Sequence, residues 1–213
     1  MKKALACVVV AGCACAAQAD LLQLPDGAPV YNASNSLITS LPLGASDPTD
    51  GVPVYSSIPG PYSAFAAGQF ASRDDYVSNQ GGSTFNMDAL RFAGGVTTAG
   101  MQLDFFLLDS ATNVVSSFGV TLPQGGDFIW TITVGSLPAA TAGFLQIQTH
   151  SATDSGRWFL TTTAAAPGSN SFSTGFGSTL TPPQIATFEL QTPAPGVLAL
   201  MGLGGLVATR RRR

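Results

Sequence analysis

Lysine is almost missing from this chain: only Lys2 and Lys3 occur, both at the extreme N-terminus. Four more of the nine basic residues, Arg210, Arg211, Arg212 and Arg213, close the C-terminus. The body between keeps Arg73, Arg91 and Arg157 against twelve carboxylates, a net charge of about −9. So few cations exclude a nucleic-acid partner, because phosphate backbones are held by clustered Lys and Arg. Sparse, acidic charge is otherwise a solubility feature. Histidine occurs once, as His150, and glutamate once, as Glu189. Zinc needs clustered His or Cys, and a glycosidase needs paired carboxylates. Glu189 adjoins the C-terminal segment, and the scattered aspartates suit turns, where they bond their own backbone. No Gly-x-Ser-x-Gly elbow accompanies His150 and Asp154, so a serine triad lacks its nucleophile. Helical periodicity is absent between the termini, and with it any phosphate-cradling glycine loop before a helix. These absences point to a chain without catalytic activity.

The cysteines are three, Cys7, Cys13 and Cys15, all within the first nineteen residues. That stretch has a positive start at Lys2-Lys3, an apolar run from Ala4 to Ala17, and the small-x-small site Ala17-Gln18-Ala19 before Asp20. This is the layout of a secretory signal peptide, cut by signal peptidase after passage through the Sec translocon. Val10-Ala11-Gly12-Cys13 offers a competing reading as a lipidation site, with Cys13 acylated. Cleavage after Ala19 would leave no cysteine in the mature chain. Its fold would then rest on its core, without disulfides or thiolate metal ligands.

At the other end, Thr192-Pro193-Ala194-Pro195-Gly196 leads into an uncharged run from Val197 to Ala208. The prolines hold the chain extended, so a helix can begin only after them. Twelve apolar residues make a helix of roughly 20 Å at about 1.5 Å rise per residue, short of the about 20 residues a full crossing uses. Snorkelling arginines and local thinning make up such a deficit, and positive flanks stay on the cytoplasmic side.

Residues 192–213 resemble the PEP-CTERM sorting segment of exosortase substrates: a Pro-Glu-Pro-like motif, a short membrane helix and a terminal arginine cluster. Ala194 stands where that motif usually has Glu. The resemblance implies export, transient retention in the inner membrane, cleavage near Pro193–Gly196 by a membrane-embedded exosortase, and release to the cell surface or extracellular matrix. It also implies an association with exopolysaccharide and biofilm production.

The chain therefore divides into a signal at 1–19, one domain at 20–191 and a sorting segment at 192–213. Within the domain, short alternating stretches are bounded by turn residues. In Asp127–Val134, residues Phe128, Trp130, Ile132 and Val134 share one face and Thr131 and Thr133 the other. Phe144–His150 repeats this, with Leu145 and Ile147 inward and Gln146 and Gln148 outward. Met101–Leu108 is apolar on both faces and reads as a central strand. Further strands are expected at Leu37–Leu41, Gln69–Val77, Phe85–Phe92, Val114–Thr121, Arg157–Thr163 and Gln184–Leu190. Turns are expected at Asp47–Gly51, Gln80–Gly82, Ala93–Gly95, Pro123–Gly126 and Pro167–Asn170. Strands without intervening helices predict an all-β, antiparallel two-sheet sandwich of jelly-roll type, followed by the C-terminal membrane helix.

Two weak sites remain. Arg73-Asp74-Asp75-Tyr76 resembles an Asp-Asp-aromatic element of PEP-CTERM-type sandwich domains. Asp74 or Asp75, with Asp50, offers hard oxygen ligands for a structural Ca²⁺, against the plainer pairing of these carboxylates with Arg73 or Arg91. Trp158, beside Arg157, is the better placed of the two tryptophans for exposure, where a ring could stack on sugar, against the plainer reading that it packs in the core. An exported surface or matrix protein is thus the first reading, and a secreted carbohydrate- or calcium-binding module the second.

Overall fold

The computed structural model describes residues 20–45, 51–170 and 184–194. Ala17, Ala19, Asp50, Pro195, Gly196, the expected membrane helix and Arg210–Arg213 lie outside them. Among the described residues every regular element is a strand, and no helix is long and apolar enough to cross a membrane. In chain order the strands are β1 (Val30–Tyr31), β2 (Ile38–Pro42), β3 (Val52–Ser56), β4 (Tyr62–Ser63) and β5 (Ala71–Val77). Then come β6 (Thr84–Val96), β7 (Gln102–Asp109), β8 (Val114–Thr121), β9 (Gly126–Ala140) and β10 (Ala142–Thr149). The last are β11 (Gly156–Trp158), β12 (Leu160–Thr161), β13 (Ile185–Ala186) and β14 (Phe188–Thr192).

These strands build two main sheets and a small one. The five-stranded sheet runs β1-β8-β7-β10-β5, and the six-stranded sheet β2-β9-β6-β14-β3, with β11 pairing the end of β6. A three-stranded patch, β13-β12-β4, completes the fold. From β5 to β10 the chain steps from one main sheet to the other at each connection except the β7–β8 hairpin. Pairing is antiparallel apart from β1, which lies parallel to β8.

Alternation along the strands explains the sandwich-like core. Leu103, Phe105 and Leu107 of β7 and Leu145 and Ile147 of β10 face inward from one sheet. Leu90 and Phe92 of β6, Trp130 and Ile132 of β9, and Phe188 and Leu190 of β14 meet them from the other. Phe92 packs edge-on against Phe105 at 5.4 Å, and Phe105 stacks on Phe118 at 5.0 Å. Each such side chain contributes about 1.5–3 kcal/mol when fully buried, so the aromatic seam holds a disulfide-free body together. β7 lies between β8 and β10, as its apolar faces predict.

Three expectations need correction. Ala93–Gly95 is not a turn but part of β6. The glycines are there because neighbouring backbone closes in: a Cβ on Gly95 would lie 1.8 Å from the Gly126 carbonyl oxygen. Gly94 presents its carbonyl to the Trp130 indole N–H at 3.1 Å. Second, Gln146 and Gln148 face away from the core yet are buried, because the chain from Asp20 to Leu24 lies over them. Third, β1, β3 and β4 were not expected. β3 is an edge strand carrying Pro53, and edge strands need little alternation.

Candidate functional site

The outer face of the five-stranded sheet carries a polar network. Strand alternation turns Arg73 of β5, Gln146 and Gln148 of β10, and Gln102 and Asp104 of β7 away from the core. Register sets Gln146 opposite Arg73 and Gln148 opposite Asp104. Arg73 donates from Nε and Nη2 to Gln146 Oε1 at 3.0 and 2.8 Å. Gln146 Nε2 donates to the Asp20 carbonyl and to Gln148 Oε1, both at 2.9 Å. Gln148 accepts from the Leu22 N–H at 3.0 Å and donates back to the Leu22 carbonyl at 2.7 Å. The glutamine amides thus treat residues 20–22 as a strap, supplying the backbone partners that an adjacent strand would.

Beside the strap lies the His150–Asp104 pair. His150 Nδ1 is 2.9 Å from Asp104 Oδ2, and Gln102 Nε2 donates to Asp104 Oδ1 at 2.9 Å. Asp104 is 2% exposed, whereas the His150 side chain is 47% exposed. A carboxylate accepts, so in the neutral ring the proton sits on Nδ1 and the lone pair on Nε2, directed away from Asp104. The two residues border a cavity of about 240 Å³, lined also by Leu21, Leu22, Gln69 and Ser151.

The residues singled out from sequence fall elsewhere. Asp74 is wholly buried: its Oδ2 accepts from the Ala186 N–H at 2.5 Å and its Oδ1 from the Asp75 N–H at 3.0 Å. Burial pushes its carboxyl well above the usual carboxylate range, a rise that the Ala186 hydrogen bond offsets only in part. Neither Arg73 nor Arg91 serves it: Arg73 holds Gln146, and Arg91 pairs with Glu189 at 3.2 Å. Both oxygens of Asp74 are occupied by backbone, and Asp75 sits on the other face of the strand, so the two do not form a joint calcium chelate. Among the described residues no group of three or more His, Cys, Asp or Glu is set to hold a metal.

Trp158 packs in the core, the plainer of its two readings, and not as a sugar-stacking surface ring. It is 3% exposed, donates from its indole to the Thr187 carbonyl at 2.9 Å and packs on Phe188, so it presents no face to a sugar. Glu189 is likewise interior, accepting from Ser56 at 2.7 Å and pairing with Arg91. Arg157 instead binds Asp127. Asp154 accepts from Ser151, leaving His150 to Asp104. Pro193 and Ala194 directly follow β14.

Sequence reasoning missed Asp104, Gln102 and the glutamine pair. A signal existed: Asp104 is the one carboxylate inside the otherwise apolar stretch from Leu103 to Leu108. A charge in a strand covered on both faces requires partners.

Fold and site define an all-β, sandwich-like protein with a polar hollow on the outside of one sheet. No protein-family model, curated protein or solved structure matches the chain.

Proposed function

We propose that this is an exported, non-enzymatic protein of the cell surface or extracellular matrix. Signal peptidase cuts it after Ala19, the tail holds it briefly at the inner membrane, and an exosortase releases it near Pro193–Gly196. A jelly-roll topology accompanies that reading. It is supported by the eight strands β3, β5–β10 and β14, which fall into two four-stranded sets in the orders β3-β14-β6-β9 and β5-β10-β7-β8, with β7–β8 the one hairpin within a sheet.

One observation carries the proposal. The folded body uses residues flush with both expected cuts: Asp20 is bonded to the sheet through its carbonyl, and β14 runs to Thr192. Cuts at those two points would remove none of the described strands. Intact mass spectrometry of the protein recovered from culture medium and from membranes tests it. The expected species begins at Asp20 and ends within Pro193–Gly196. A cytosolic chain retaining both ends would refute the reading.

A second reading, a secreted carbohydrate-binding module, is favoured by the hollow at His150 and Asp104. Calcium binding at Asp74 is not part of it.

A further inference from the structure

The hollow beside His150 combines four features that a ligand would meet together. His150 is oriented by a buried carboxylate, so its neutral ring offers Nε2 as a fixed acceptor, and this nitrogen has no hydrogen-bond partner among the described residues. Among the described residues Asp104 is the one carboxylate lining the cavity, and no Arg or Lys lines it. An anion would therefore face a carboxylate with no compensating cation. Gln69 and Ser151 add amide and hydroxyl groups on the rim, while Leu21 and Leu22 of the strap form an apolar wall, Leu21 being 54% exposed. The cavity, about 240 Å³, is smaller than a drug-sized pocket, which starts at roughly 300 Å³.

We propose that this hollow binds one uncharged, hydroxyl-bearing ring, a neutral monosaccharide unit. The ring's hydroxyls donate to His150 Nε2, exchange hydrogen bonds with Gln69, and donate to Ser151 Oγ, whose own proton is held by Asp154. Its C–H face lies on Leu21 and Leu22. A purely apolar ligand would leave Nε2 and the amide unpartnered, and a zwitterion would bring a carboxylate against Asp104. The strap is part of the site: without Asp20–Leu24 held on Gln146 and Gln148, the apolar wall is lost. The inference deepens the second reading above and rests on it, but not on export.

The protein contains one histidine, so its imidazole proton resonances are a unique NMR reporter of the hollow. The purified chain is titrated at neutral pH with glucose, galactose, mannose and N-acetylglucosamine, with their methyl glycosides as mimics of a chain end, and with glucuronate as the charged control. The expected result is a saturable shift with at least one neutral sugar, with Kd on the order of 1 mM, and about tenfold weaker binding of glucuronate. Asp104→Asn keeps the reporter but unfixes the tautomer, and is expected to weaken binding about tenfold. Gln69→Ala, a change at an exposed side chain, is expected to weaken it about threefold while leaving the melting temperature alone. Histidine resonances unmoved by every neutral sugar would overturn the proposal, as would glucuronate binding equal to that of glucose or unchanged affinity in both variants. Retention on a polysaccharide gel with unmoved histidine resonances would leave the module reading standing and overturn this site.

Discussion

Asp74 places a carboxyl group inside the sandwich, where it caps the Ala186 N–H and so ties β13 to β5. Burial raises its folded pKa well above the ordinary value of 3.8. The sign of the consequence follows from proton linkage. Between the unfolded and folded values the native state keeps a proton that the unfolded chain has shed, so stability is fully present below about pH 3.8 and is lost as pH rises through the folded pKa. Asp74→Asn removes this titration. Its amide cannot accept on both sides, so either the Ala186 or the Asp75 N–H loses its partner, at a cost of about 1–3 kcal/mol. The variant should therefore be clearly less stable than the parent at pH 4, and the gap should narrow or reverse by pH 8. Urea unfolding at the two pH values measures this, and a gap of constant size would refute it.

The β6–β9 pair shows how glycine can be misread as punctuation. Gly94-Gly95 reads as a turn because the sequence reveals a missing side chain but not what occupies its space. Here the occupant is backbone: Gly126 of β9 on one side and Arg157 of β11 on the other. Gly95→Ala would drive a Cβ to 1.8 Å from a carbonyl oxygen that cannot yield without breaking the ladder. A loss of about 3 kcal/mol or more is expected, whereas Gly81→Ala, which meets nothing within 4 Å, should stay within about 0.5 kcal/mol. Thermal melts of the two variants decide it; equal stability would mean that the strand contact is looser than described. The same contrast governs what was legible. Alternation gave the first half of β9 nearly to the residue, since it buries one face on the core, and the doubly apolar run gave β7, which is covered on both faces. Period-two patterns misassigned Gln146 and Gln148, because what buries them is a distant segment tied on by side-chain amides. They also could not separate Trp158 from an exposed ring, since an indole with a carbonyl partner buries as readily as one that stacks.

Taken together, the described residues form one disulfide-free body in which four carboxylates have fixed partners: Glu189 with Arg91, Asp127 with Arg157, Asp104 with His150 and Asp74 with backbone. With these four carboxylates committed, and no cluster of three candidate metal ligands among the described residues, the melting temperature should move by less than about 1 °C on adding EDTA or calcium. A rise of about 5 °C with calcium would show a cation site that these pairings do not supply. The strap and the tail depart from different layers. Thr192 leaves from β14, which is zipped along both sides by β3 and β6. Asp20 leaves from a segment clipped by the amides of Gln146 and Gln148. Tension along β14 loads its flanking rungs all at once, in shear, while tension on the strap opens its clips in succession. The molecule is therefore stiff when hauled by its tail and peels when hauled by its head.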